Sequence, residues 1–223
     1  MRKITSRWVP YALSEKNKAD RVQICIENLN KFKNKTWRLG DVVAGDESWF
    51  YWRQIGSKQS NKSWVGEGEP ARTIVRRDRF EPKTMVSIMF RMNGILQVTF
   101  CEKGATITAE SYIEDCLKPL VRTIKKKRPS MGAKTLKFHH DNARPHVAQS
   151  VVEEQEFTIM RHPPYSPDLA PSDFWLFDYI KKRLTDHTSA QSLANEITQI
   201  CESIPENELK KRSNTGLREW SVA

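Results

Sequence analysis

Three aspartates stand where they could act together: Asp46 after a short apolar run, Asp141 after a second, and Asp173 at the start of a helical pattern. Around the middle one, "HHDNARPH" (139 to 146) crowds His139, His140, Asn142, Arg144 and His146 into a few positions. Such a stretch suits a histidine metal site, a carboxylate site or a polar turn. Carboxylates without thiolates are the hard oxygen donors that Mg²⁺ or Mn²⁺ prefers. Two such ions, about 3.5–4 Å apart, can stabilise both the attacking and the leaving oxygen of an in-line phosphoryl displacement. Spacing alone leaves the plainer reading open, because an aspartate after a strand is commonly a turn former or a helix cap.

The elements that must position these residues can be read from periodicity. Residues 14–33 form an expected amphipathic helix, with Ser14 as N-cap and Ala19, Val22, Ile26 and Leu29 at helical spacing. Residues 1–36 therefore read as an arm plus helix, and 37–223 as one domain. Residues 39–48, centred on Val42, Val43 and Ala44, predict a short buried strand ending at Asp46. A long excursion with little regular structure, about 53–82, contains Trp64, Gly66, Gly68, Pro70 and Pro82. A hairpin follows, 83–90 and 95–102 around Asn93-Gly94, where the turn tolerates positive φ. Residues 108–127 predict a helix capped by Thr108 that Pro119 must kink or restart. A strand over 134–141, a helix over 146–155 with Pro145 in its first turn, a strand over 157–160, and helices over 174–184 and 189–203 complete the pattern. If the first and fourth of the five strands are parallel neighbours, Asp46 and Asp141 emerge side by side at the edge where open α/β sheets carry their ligand sites.

Composition agrees with a polyanionic partner. Lys plus Arg number 37 against 27 Asp plus Glu, a formal charge of +10, and the basic residues bunch, as in "RTIVRRDR" (72 to 79) and Lys125, Lys126, Lys127 and Arg128. That balance favours nucleic acid, although one charged run by itself is usually a solvated helix face. The four cysteines form no CxxC pair and no signal peptide opens the chain, which predicts a reducing compartment and neither a zinc knuckle nor a disulfide framework. No apolar run approaches a membrane span. "KKKRP" (125 to 129) matches a nuclear import signal, and a nuclear location is expected.

Beyond composition, "AGDESWF", "HHDNARPHVAQ" and "HPPYSPDLAPSDFWLF" resemble, in order, the three signature blocks of the mariner-type transposases of the Tc1/mariner superfamily. "RWVPYALSEKNKADRV" is similar to the linker that precedes their catalytic domain. The resemblance implies an α/β, RNase H-like fold, a mixed five-stranded sheet flanked by helices. It implies Asp46, Asp141 and Asp173 as the catalytic and metal-ligating triad of a cut-and-paste DNA transposase, with Mg²⁺ or Mn²⁺, two ions, as cofactor. It makes residues 53–82 a clamp loop, inserted after the first strand, that reaches a partner subunit. The implied partners are double-stranded DNA, with TA as target, and a second copy of the chain held through linker and clamp loop. Asp141 and Asp173 enclose 31 residues, three fewer than is usual in the family, and the loss falls between Gln149 and Met160. It either shortens a surface connection or misplaces Asp173. The family's N-terminal helix-turn-helix region is absent from this sequence, so the chain reads as a catalytic fragment, and a decayed or domesticated derivative that binds DNA or a partner without catalysis is the alternative.

Other residues in these blocks carry weaker expectations. Glu47, next to Asp46 on an extended strand, should face the opposite way, and Asp168 in "SPDL" should serve a turn or cap. Asn142 could orient Asp141; His140 and His146 could touch a phosphate or support a metal ligand, or could simply be hydrogen-bonded loop residues. Arg144, His146 and Lys125 to Arg128 are the candidate DNA contacts. Trp49, Trp52 and Trp175 read as core or interface aromatics.

Overall fold

A computed structural model of the chain describes residues 12–56, 61–70, 73–101, 107–130, 135–147 and 157–221. The first element is helix α1, Glu15–Lys33, whose N-cap Ser14 accepts a hydrogen bond from the Asn17 N–H as expected. Its rotation differs from the expected one. Ile24, Cys25 and Asn28 face the domain, whereas Val22 and Ile26 are 46 % and 54 % exposed. Polar contacts set that rotation: Arg21 makes a two-pronged ion pair with Asp168 at 2.9 and 2.6 Å, and the Asn28 amide donates to the Arg161 carbonyl. Asp168 is thus an ion-pair partner as well as part of a turn, at Pro167–Leu169.

The sheet has five strands: β1 (Val42–Tyr51), β2 (Lys83–Arg91), β3 (Gly94–Phe100), β4 (Lys137–His139) and β5 (Thr158–Ile159), in the order β3-β2-β1-β4-β5. β1 runs antiparallel to β2 and parallel to β4, so the sheet is mixed as expected. The Asn93-Gly94 hairpin is present, with Gly94 at φ 145°, a value that an L side chain rarely adopts. β1 does not end at Asp46. It continues to Tyr51, because β2 pairs with it residue by residue as far as Tyr51 opposite Lys83.

Helices cover both faces. On one face lies helix α2, residues 109–127, which opens with a Thr108–Ser111 capping box and contains a π-helical stretch, Tyr112–Leu117, before its α-helical second half, Lys118–Lys127. The wide π turn gives way to regular helix at Pro119, which lacks an N–H to donate to the preceding turn, and this is the expected restart. Tyr112, Leu120 and Ile124 of α2 pack with Val43, Met89 and Phe138. A short helix α3, Arg144–Val147, begins close behind β4, with Pro145 in its first turn; the remainder of the helix expected to 155 lies outside the described residues.

On the other face, helix α4, residues 172–181, begins as a second π-helical stretch, Ser172–Leu176, and continues as Phe177–Lys181. Helices α5, Ala190–Ser203, and α6, Glu206–Trp220, follow. Trp175, Phe177, Ile180, Leu193 and Ile197 join Phe50, Val86 and Ile88 in the larger core. The described parts of 53–82 contain no helix or strand, and Trp64, Val75 and Phe80 are exposed there. The root of this excursion is tied down: Arg53 forks onto Glu81, Asp186 accepts the Gln54 N–H at 2.6 Å, and the His187 N–H donates to the Trp52 carbonyl. Among the described residues no helix is long and apolar enough to cross a membrane.

Candidate active site

Parallel pairing of β1 with β4 brings two of the three aspartates together. Val42 lies opposite Lys137, Val43 opposite Phe138 and Ala44 opposite His139. Continued two residues past the end of β4, that register sets Asp46 against Asp141. Asp173 arrives from the other side, on the second residue of α4, where the π turn follows Pro171. Its carboxyl comes close enough to that of Asp46 for each to shift the other's pKa. Asp141 and Asp173 both line a cleft of about 760 Å³ between α1, through Asp20 and Ile24, and the loop from Arg161 to Pro167.

The electrostatics of the three differ. Burial, reinforced by the nearby charges of Asp173, Asp141 and Glu47, pushes the Asp46 carboxyl up to about 8. Burial and Asp141 push Asp173 up to about 6, although the Asp46 hydrogen bond and Lys181 oppose the rise. Asp141 behaves in the opposite way. Burial would raise its pKa, but His146 and the Ala143 N–H, both on Oδ1 at 2.7 and 2.9 Å, hold it below the ordinary carboxylate value.

The "HHDNARPH" stretch divides by face. His139 sits at 3.0 Å from the His162 Nδ1 through its Nε2 and packs edge-on to Trp220; burial holds both imidazoles neutral, His162 at about 4. His140 stacks on Phe138, and burial, with His146 nearby, lowers it to about 3. Asn142 donates to the His162 carbonyl rather than to Asp141. His146 is different: it is 2 % exposed, with Nδ1 at 2.7 Å from Asp141 and Nε2 at 2.9 Å from Glu47. Burial opposes its charge, yet the hydrogen bonds to the two carboxylates outweigh burial and push it up to about 10. Expected among the DNA contacts, His146 is corrected to an interior residue whose two nitrogens are already engaged.

Arg144 is exposed at the start of α3, beside Asp141. Lys125, Lys126 and Lys127 end α2, and Arg128 lies 3.7 Å from Asp41, just before β1 begins. Five residue steps along the chain, about 16 Å at the rise of a strand, separate Asp41 from Asp46. The basic cluster is therefore at the far end of the sheet and does not join the carboxylates. One residue that sequence reasoning passed over does join them. Lys181 donates to the Ser48 hydroxyl at 2.7 Å and lies over the Phe50 ring, and the Asp173 carboxylate favours its charge. Its signal in the sequence was a cation two helical turns after Asp173.

Among the described residues no three His, Cys, Asp or Glu side chains are already gathered in metal-ligating positions. Asp46 and Asp173 instead act on one another as neighbouring carboxyls. Their chemistry nevertheless fits a hard divalent cation: the donors are all oxygen, and the repulsion that raises Asp46 and Asp173 is what a cation would relieve.

Comparison with known proteins gives this arrangement a context. Residues 55–134 match the family described as transposase (partial DDE domain), a stretch lying between Asp46 and Asp141. The mariner Mos1 transposase of Drosophila mauritiana is 34 % identical over 176 residues, 77 % of this chain and 50 % of that protein. The human histone-lysine N-methyltransferase SETMAR is 26 % identical over 201 residues, 86 % of this chain and 29 % of that protein. The Mos1 mariner paired-end complex with Mn superposes with a TM-score of 0.88 at 29 % identity, over 99 % of this chain and 65 % of that one. The Mos1 catalytic domain alone gives 0.76 at 24 % identity over 96 % of this chain and 95 % of that one, a likeness of fold. The chain thus spans half the length of Mos1 and less than a third of SETMAR.

Proposed function

Related in sequence and in fold to the mariner-type transposases, the chain is, we propose, the catalytic part of a cut-and-paste DNA transposase, a metal-dependent DNA endonuclease and strand transferase. The observation that supports this most is the meeting of Asp46, Asp141 and Asp173 at one end of a mixed sheet, in a fold shared with those relatives. Asp46, Asp141 and Asp173 are the residues to which we assign Mg²⁺ or Mn²⁺, two ions in all. Bound there, such cations would neutralise charge on the attacking and leaving oxygens of an in-line displacement at a phosphodiester.

The chain's own groups supply the rest. Asp141 arrives ionised, with Oδ1 held, so Oδ2 is left for a ligand. Asp46 and Asp173, both raised by burial and by neighbouring carboxylates, would ionise more readily beside a bound cation. Lys181, held against Ser48, balances charge behind Asp173. Arg144 meets a DNA phosphate beside the site, whereas Lys125, Lys126, Lys127 and Arg128 meet the duplex further off. Solved structures of Mos1 are paired-end complexes, one with the left transposon end, one with Mn and one with Mg. A second copy engaging linker and excursion, TA as target and action in the nucleus belong to the same reading.

The test is nicking of supercoiled plasmid by the purified chain in Mg²⁺ or Mn²⁺. Nicking should need the cation and should fall at least about 10³-fold in Asp141→Ala, the scale set by loss of a group that acts only in the transition state. DNA binding with no cation-dependent nicking would instead mark a chain that binds without catalysis.

A further inference from the structure

On the far side of β1 from Asp46 lies a buried polar chain that the proposed chemistry does not use. The Ser87 hydroxyl donates to Glu47 Oε1 at 2.8 Å. Glu47 Oε2 faces His146 Nε2 at 2.9 Å, and His146 Nδ1 faces Asp141 Oδ1 at 2.7 Å. Ser87 and His146 are almost fully buried, and the Glu47 side chain is 11 % exposed. The imidazole is clamped by the Tyr112 ring, 4.3 Å away and tilted by 35°, which comes from the π-helical stretch of α2. Glu47 and Ser87 are direct partners in the β1–β2 register, so the chain is built on the central strands rather than on a loop.

We propose that Ser87, Glu47 and His146 form a positioning relay that fixes the rotamer of Asp141 and thereby sets the affinity of the three-carboxylate site for a divalent cation. The inference rests on the reading of Asp141 as a metal ligand. A core that needed only filling would be served as well by apolar groups, since a buried charged triad gains little over a hydrophobic one of equal volume. What the triad adds is direction. Both hydrogen bonds to Asp141 fall on Oδ1, so the carboxylate cannot spin, and Oδ2 is presented with its rotational entropy already lost. Two adjacent residues of one strand thus serve the site from opposite faces: Asp46 directly, and Glu47 through an imidazole.

The measurement is Mn²⁺ affinity of the whole chain without DNA, read by the free-ion electron paramagnetic resonance signal, beside the Mn²⁺ concentration for half-maximal nicking. Losing an outer partner of a metal ligand typically weakens binding about 10–100-fold, and His146→Ala should do so in both readouts while the nicking rate at saturating Mn²⁺ falls less. His146→Asn keeps a donor near the Nδ1 position and should retain more affinity than His146→Gln, whose amide reaches toward Glu47. A filling role alone would make no such distinction. A folded His146→Ala, melting cooperatively with affinity within about twofold of the wild type, overturns the relay. If His146→Ala does not fold, Glu47→Gln decides: a loss of about three- to tenfold supports the relay, and no loss overturns it. Asp141→Ala separates the two readings. Unchanged Mn²⁺ affinity there overturns the metal site itself, and with it the relay; lost affinity there with unaltered His146 variants overturns the relay alone.

Discussion

The two faces of β1 at its carboxylate end carry opposite electrostatics. On the face toward α4, Asp46 and Asp173 confront each other, and burial and carboxylate repulsion drive both pKa values up despite Lys181 near Asp173. On the face toward α2, Glu47 and Asp141 confront each other across His146, and the imidazolium between them holds Asp141 ionised. One face is left charge-frustrated and the other is settled internally. A site that must take up a cation needs both: repelling ligands that gain from neutralisation, and a fixed ligand that does not move while they do.

The contrast breaks most visibly on the settled face. Glu47→Ala leaves a buried imidazolium with one carboxylate where it had two, and removing one partner from a buried charged network costs about 3–5 kcal/mol. For a domain of this size the midpoint of thermal unfolding should fall by roughly 6–20 °C. On the frustrated face the neighbouring change has the opposite sign. Asp46→Asn removes a charge that burial and three carboxylates disfavour, and the cation-free protein should gain on the order of 2 kcal/mol at pH 8 while losing nicking. Differential scanning calorimetry of the two variants, one residue apart, tests the comparison directly. If both shift the midpoint in the same direction, the two faces do not differ as described.

How much of this could be read from the chain alone varies with the kind of signal. The three aspartates were legible because each adjoins an element whose type is strongly patterned, and the parallel β1–β4 pairing then brings Asp46 to Asp141. The extent of β1 was not, because Asp46, Glu47 and Ser48 break the apolar run; the strand continues through them only because β2 supplies partners. Helix α6 was missed because "KKRSNTG" is polar and buries little beyond Leu209, Gly216 and Trp220. The rotation of α1 was misjudged for a related reason: hydrophobic spacing pointed to Val22 and Ile26, and the ion pair of Arg21 with Asp168, 147 positions away, decided otherwise. Glu47 was rightly expected to face away from Asp46. Its partner there lies 99 positions along the chain, a distance over which local pattern carries no information.

The subtlest way to sharpen the comparison is the pH dependence of stability without divalent cation. Asp46 feels the charges of the Asp173 and Asp141 carboxylates and, across the strand, of Glu47, with Lys181 near Asp173, and it is raised to about 8; Asp173 is raised to about 6. Between about pH 4 and those values the folded chain keeps protons that the unfolded chain has lost, so stability falls as pH rises through that window. His146, raised to about 10, adds a fall of the same sign, because its stabilising charge is fully present below about 6.5 and is lost as pH climbs through 10. The windows overlap only in part, so the two faces can be separated. Asp46→Asn should flatten the slope between about pH 5 and 8 and leave the fall above 8 intact, whereas His146→Asn should remove the fall above 8 and preserve the slope below about 6.5. Urea midpoints measured at half-unit pH steps in chelator give both slopes. A single slope abolished equally by either substitution would mean that the carboxylates and the imidazole titrate as one group, and that β1 does not hold them apart.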